Sequence, residues 1–153
     1  MSATTVELHA GRAPAESVAI RRRVFIEEQG VPEADELDGH DAERTHFLAR
    51  DAQGRALGCA CLRPYGAKQK VERVAVLPEL RGSGLGRTLM DAVEAHARKI
   101  EQRELVLHAQ ATVVEFYSRL GWTSVGAIFY EAGIAHQKME KRLSAGNLFR
   151  HPP

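Results

Sequence analysis

Cysteine is scarce in this 153-residue sequence: there are two, Cys59 and Cys61, in "LGCACLRP". Two residues apart on a strand, they share a face, and no further cysteine exists to complete a tetrahedral thiolate site. They read as small buried apolar residues of a reducing compartment, with a C-x-C redox pair as the alternative. Net charge is equally slight. Twenty-one Lys and Arg against twenty Asp and Glu leave +1, with His neutral, so composition suggests no bulk polyanion partner, although a local basic site is compatible with it. The case for nucleic acid is confined to "IRRRVF" (20–25), which lacks aromatic interleaving and a basic surplus. No apolar run approaches a bilayer span, and the opening "MSATTVELHAGR" has no signal-peptide core. The expectation is a cytoplasmic protein with no membrane partner. Repeats, low-complexity runs and interdomain linkers are also lacking. At this length a sizeable core can form without disulfide staples, so we expect one domain over residues 1–143 and a tail over 144–153.

What is present is a succession of short periodic segments. "TVELHA" (5–10) reads as a first strand. "PAESVAIRRRVFIEEQ" (14–29) places Val18, Arg22, Phe25 and Gln29 at helical spacing, stopped by Gly30 and Pro32. An acidic, turn-rich loop, "GVPEADELDGHDAE" (30–43), follows. "THFLARD" (45–51) and "RALGCACLRP" (55–64) flank the turn 51–54 as a hairpin, and "KVERVAVLP" (70–78) is a fourth strand with Val74 and Val76 on one face. Leu85, Leu89, Val93, Ala97 and Ile100 mark one apolar face of a helix. "ELVLHA" (104–109) is a strand, "TVVEFYSRLGW" (112–122) a short helix ending near Gly121, and the segment to Leu143 supplies two strands around a turn near Gly133. This order predicts an α/β fold: a mixed, mostly antiparallel sheet of six or seven strands with helices on both faces.

Between the fourth strand and the following helix lies "RGSGLG" (81–86). A glycine-rich turn that opens a helix gathers free backbone N–H groups at the positive end of the helix dipole, where an anion can approach the main chain. Arg87-Thr88 follows Gly86, yet the spacing and the missing lysine do not make a P-loop. Gly82, Gly84 and Gly86 give G-x-G-x-G, not the G-x-G-x-x-G of a dinucleotide site.

The segment resembles instead the acetyl-CoA pyrophosphate loop of the GNAT family of N-acetyltransferases, with Arg81, Gly84 and Gly86 in the signature places. "FYSRLGW" (116–122) is similar to that family's F-Y-x-x-x-G-F element, and "VFIEEQGVPEADELDGHD", "LHAQA" and "YEAGIAHQKM" resemble its ElaA-like branch. The resemblance implies an acetyl-CoA-dependent enzyme without a metal, acting on a small-molecule or peptide amine by direct attack in a ternary complex. A homodimer is a further expectation, because family members often pair.

By the same resemblance, the N–H groups around Gly82, Ser83, Gly84, Leu85 and Gly86 hold the pyrophosphate, with Arg81 beside them and Arg87 at the helix start. The edge of Val74, Ala75 and Val76 pairs with the pantetheine arm, and an N–H near Val74 faces the thioester oxygen. Gln110 stands where many members carry a cofactor-contacting Asn. Tyr117 matches the tyrosine that reaches the CoA sulfur and protonates the leaving thiolate. For the general base the sequence leaves Glu72, Glu27 or Glu28, His108 and His136 open, and Glu28 and Glu72 are carried forward as catalytic candidates. The acidic loop suits a cationic substrate, but Asp38-Gly39 is equally a turn pair, and the loop lacks the ligand spacing of a calcium site. Neither cysteine has an activating partner in the sequence, which disfavours a covalent acetyl-enzyme. The reading from another class is a non-catalytic acyl-CoA-binding or regulatory domain with the same cleft.

Overall fold

The computed structural model describes residues 3–144, so the tail expected from 144 onward lies, from residue 145, outside the described residues. Seven strands form one sheet: β1 (Thr5–Ala10), β2 (Thr45–Arg50), β3 (Ala56–Tyr65), β4 (Lys68–Val76), β5 (Glu104–Gln110), β6 (Thr123–Glu131) and β7 (Ile134–Arg142). Their order across the sheet is β1-β2-β3-β4-β5-β7-β6. Every neighbouring pair is antiparallel except β4–β5, which is parallel. The mixed, mostly antiparallel α/β sheet expected from the sequence is the one observed.

Each face carries its own core. Phe47 and Ala49 of β2, with Ala60 and Leu62 of β3, join Leu85, Leu89, Met90, Val93 and Ala97 on one side. Leu48 and Cys59, each adjacent in its strand to one of these, pack with Ile20 and Val24 on the other. Because both faces are covered, β2 and β3 are buried along nearly their whole length. The residues on the first side belong to α3 (Leu85–Lys99), whose apolar spacing matches the sequence reading except at Ile100. That residue caps the helix and stays 42% exposed.

On the opposite side, α1 (Ala15–Arg21) runs directly into a π-helical stretch from Arg22 to Glu28. The buried positions are Ser17, Ile20, Arg21 and Val24, so the face turned inward is offset from Val18, Arg22, Phe25 and Gln29. A widened turn lets the end of this helix present Phe25, Glu28 and Gln29 to a cleft. A short α2 (Glu33–Glu36) occupies the acidic loop, and α4 (Val114–Arg119) follows β5. Among the described residues, no helix is long and apolar enough to cross a membrane.

An ionic network ties the acidic loop to this side of the sheet. Arg21, fully buried, donates from Nε to Glu36 at 2.6 Å and from Nη1 to Asp41 at 3.0 Å. Arg44 donates to Asp38, Asp41 and Glu72 at 2.9–3.1 Å. The carboxylates that suited a cationic substrate in sequence are therefore largely neutralised from within. Asp38 also accepts the His40 N–H at 3.0 Å, the turn role its sequence neighbourhood suggested.

Candidate active site

The parallel pairing of β4 with β5 runs only from Gln69↔Leu105 to Val71↔Leu107. Both strands continue, β4 to Val76 and β5 to Gln110, without pairing further. Backbone groups along the parted edges are left for another partner. Between them opens a cleft of about 1070 Å³, lined by both strands, the end of the π-helical stretch, the 81–87 segment and α4.

β4 is bulged where the strands part. Cys59 faces Ala75 and Cys61 faces Glu72, so Arg73 and Val74 together oppose the single residue Ala60. Arg73 takes a left-handed φ of 56° without being glycine, a conformation costing about 1–2 kcal/mol. Its guanidinium is held by ion pairs with Glu36 and Asp38 and by the Asp35 and Glu36 carbonyls. Past the bulge Val74 and Val76 pack toward α3, while Ala75 enters the core on the α1 side.

The glycines of "RGSGLG" differ in purpose. Gly82 and Gly84 adopt φ of 84° and 87°, and a Cβ on either would meet open space. They are glycine because of backbone conformation, and Gly84 caps the N-terminus of α3. No side chain caps the first turn of α3 and no acidic residue stands there to satisfy its N–H groups, while Gly84, Leu85, Gly86 and Arg87 line the cleft. Gly86 has ordinary φ, but a Cβ would stand 3.0 Å from the Phe116 ring. Its absence of a side chain brings α4 against α3, and α4 carries Tyr117.

Tyr117 is 7% exposed and lines the cleft. Its ring packs edge-to-face with Phe116 and Trp122, and its hydroxyl makes no hydrogen bond among the described residues. Burial pushes the phenol well above its ordinary pKa, so the group keeps its proton. That is the state required of an acid.

The other sequence-named residues have partners. Arg81 donates to Glu28 through both terminal nitrogens at 2.6 and 2.7 Å. The arginine's hydrogen bonds hold the Glu28 carboxyl below its usual range. Gln110 donates to Gln29 at 2.8 Å across the cleft's upper end. Glu72 is bound by Arg63 at 2.7 Å, Arg44 at 3.0 Å and Lys70 at 3.2 Å. Burial opposes its ionisation, yet Arg63's hydrogen bonds and the charges of Lys70 and Arg44 win, lowering it to about 2. Cys59 and Cys61 are buried free thiols. Burial pushes Cys61 up to about 12, so it is not a nucleophile at neutral pH.

At the floor of the cleft β5, β6 and β7 bring together His108, Glu131 and His136. His108 Nδ1 lies 3.3 Å from Glu131, and His136 Nε2 lies 3.9 Å from the same carboxylate. Among the described residues no cluster of three or more His, Cys, Asp or Glu is arranged to hold a metal.

The parted pair leaves the β4 edge open beside a glycine-lined helix N-terminus, the two features that the sequence resemblance assigned to a pantetheine arm and a pyrophosphate. The sequence matches the "Acetyltransferase (GNAT) domain" family over residues 13–143. The chain belongs to the GNAT family. Family and fold together make it an acetyl-CoA-dependent N-acyltransferase. It is 32% identical over 123 residues to YjcF of Bacillus subtilis, an uncharacterized N-acetyltransferase, covering 80% of this chain and 87% of that one. Escherichia coli ElaA superposes with a TM-score of 0.77 at 25% identity, over 93% of this chain and 100% of ElaA. A GNAT acetyltransferase of Elizabethkingia anophelis with acetyl-CoA bound has the same fold, with a TM-score of 0.70 at 17% identity over 92% and 98% of the two chains.

Within this GNAT chain, Arg73 is the site residue that sequence reasoning passed over. A single arginine in a valine-rich strand carries no signal of a left-handed bulge. The Glu131 contact with His108 was equally hidden, since 23 residues separate them.

Proposed function

We propose that the cleft holds acetyl-CoA and transfers its acetyl group directly to a primary amine, with Tyr117 as the acid. The observation that carries this reading is the coincidence of three features at one opening: unpaired edges of β4 and β5, free N–H groups at the start of α3, and a proton-bearing Tyr117 on the wall. The residues suit the ligand. Open space over Gly82 and Gly84 admits a pyrophosphate, which the N–H groups of residues 82–87, Arg81 and Arg87 would hold. Val74, Ala75 and Val76 offer a strand edge to an amide-containing arm, and the bulged Val74 N–H is the donor for a carbonyl oxygen that gains charge. Bound acetyl-CoA supplies an activated acyl thioester.

The pairings of Glu28 and Glu72 leave both as weak bases. Glu28 instead serves Arg81, and Glu72 is a structural anion inside a ring of cations. Cys61, for which the sequence showed no activating partner, lies with its Sγ 3.3 Å from His46 Nδ1, yet burial pushes its pKa up to about 12, which favours attack without an acetyl-enzyme. The acceptor is a small-molecule or peptide amine.

Calorimetric titration with acetyl-CoA tests the cofactor half. Wild-type protein should bind saturably, whereas folded Gly84→Glu should not, because it combines a strained φ with a carboxylate at the anion site. Thiol release with n-butylamine, spermidine, glucosamine and a peptide with a free N-terminus tests the transfer. Tyr117→Phe should lose about 100-fold or more in kcat while binding acetyl-CoA as tightly as wild type. Binding without thiol release from any amine would point to an acyl-CoA-binding domain, and no binding by folded wild type would remove the reading altogether.

A further inference from the structure

The transfer needs a base, and the carboxylates of the cleft differ in their freedom to assist one. Glu28, Glu36 and Glu72 are each engaged by arginine. Asp35 is exposed on α2. Glu131 alone of the lining carboxylates faces imidazoles. An ionised carboxylate can only accept, so the 3.3 Å contact to His108 Nδ1 requires the proton to sit on Nδ1. The lone pair is then on Nε2, which has no partner among the described residues. His108 is 17% exposed, at the first β5 position beyond the last β4–β5 pair. Its ring is fixed by two edge-to-face contacts, with Phe129 at 5.0 Å and Tyr65 at 6.5 Å between centroids. Leu107 and Ala109 point into the α3-side core, which turns His108 to the opposite face of the sheet.

We propose that His108 is the general base that deprotonates the acceptor amine, and that Glu131 is the positioning residue that fixes its tautomer. This rests on the acetyl-transfer reading above. The acceptor arrives as an ammonium ion, attracted by the Glu131 carboxylate, and gives one proton to His108 Nε2. The freed nitrogen lone pair forms the N–C bond to the acyl carbon, and the C–S bond breaks with its electron pair remaining on sulfur. Tyr117 protonates that thiolate, and the second nitrogen proton restores Tyr117. His108 returns its proton to solvent, so the net products are amide, free thiol and one proton.

The groups around His108 set its titration. Burial lowers its pKa, Lys70 on β4 lowers it further, Glu131 on β6 raises it, and His136 on β7 lowers it. Tyr65 on β3 contacts the ring, and Lys138 of β7 is its cross-strand neighbour. The imidazole is therefore neutral at pH 7, and the rate should fall as pH drops through a value below the ordinary histidine pKa. Removing the carboxylate should move that acid limb to lower pH, and removing the lysine should move it to higher pH.

The test is the pH profile of kcat/KM for thiol release, using whichever panel amine wild type acetylates fastest. His108→Gln should lose about 100-fold or more, keep its acetyl-CoA affinity by calorimetry, and no longer show the acid limb. His108→Ala should regain part of the rate with added imidazole. Glu131→Gln and Lys70→Met should shift the limb in opposite directions, a response that loss of packing alone does not produce. A His108→Gln protein with near wild-type kcat/KM and an unchanged limb overturns the proposal and leaves the acetyltransferase reading standing. Wild-type protein that binds acetyl-CoA but acetylates none of the panel also overturns it. Failure to bind acetyl-CoA removes the underlying reading first.

Discussion

At the scale of single residues, the informative contact is Arg81 with Glu28. The arginine that the family resemblance assigned to pyrophosphate already holds a bidentate carboxylate at 2.6 and 2.7 Å. A phosphate would have to replace that partner, and both side chains are exposed enough for the exchange to be cheap. Exposed pairs of this kind contribute about 0–1 kcal/mol. Glu28→Gln should therefore tighten acetyl-CoA binding, by up to about fivefold on that scale, and leave kcat near wild type. Calorimetry and initial rates check both parts, and a large fall in kcat with unchanged binding would restore Glu28 as a base. Sequence showed Arg81 and Glu28 as separate candidates. It held no sign that each was the other's partner, because the two lie 53 positions apart and Glu28 is turned toward Arg81 only at the end of the π-helical stretch.

At the scale of elements, α3 and the strands were legible, and the joints between them were not. Leu85, Leu89, Val93 and Ala97 announce α3 by spacing alone, and Asp51 to Gly54 announces the β2–β3 turn. Spacing also implied a regular first helix, but its second half is π-helical and its buried face is offset. A period count cannot register the change, since one widened turn alters facing without altering composition. The Arg73 bulge is hidden for a related reason: its left-handed backbone is maintained by Glu36 and Asp38 from another segment, where glycine would have given a local signal. Gly86 illustrates the converse. Its place in a cofactor motif was evident, yet its lack of a side chain also answers to Phe116 at 3.0 Å. Gly86→Val should overpack the α3–α4 contact and cost about 1–3 kcal/mol, read by denaturant unfolding. Adding Phe116→Ala should recover part of that loss in a double-mutant cycle. Additive losses would mean that the two helices do not meet as described.

For the whole molecule, the ion network on the α1 side governs acid stability. Glu72 is 8% exposed among three cations. Its folded pKa, about 2 against an ordinary 4.5, means that its contribution is complete above the unfolded value and is lost as pH falls from about 4.5 to about 2. Glu72→Gln should cost about 3–5 kcal/mol at pH 7, and the difference from wild type should shrink across that acid window. Urea titrations at several pH values measure it, and a constant difference at every pH would argue against the assignment. The parted strands have another consequence at this scale. In the sheet, β1–β4 and β5–β7–β6 are joined by a seam of only three paired positions. Mechanically the seam is a hinge line, and backbone amides beside it should exchange with deuterium sooner than those at the centre of either half. A ligand that hydrogen-bonds both parted edges would act as a short interposed strand, stitching the halves together. Filling the cleft and stiffening the molecule would then be one event.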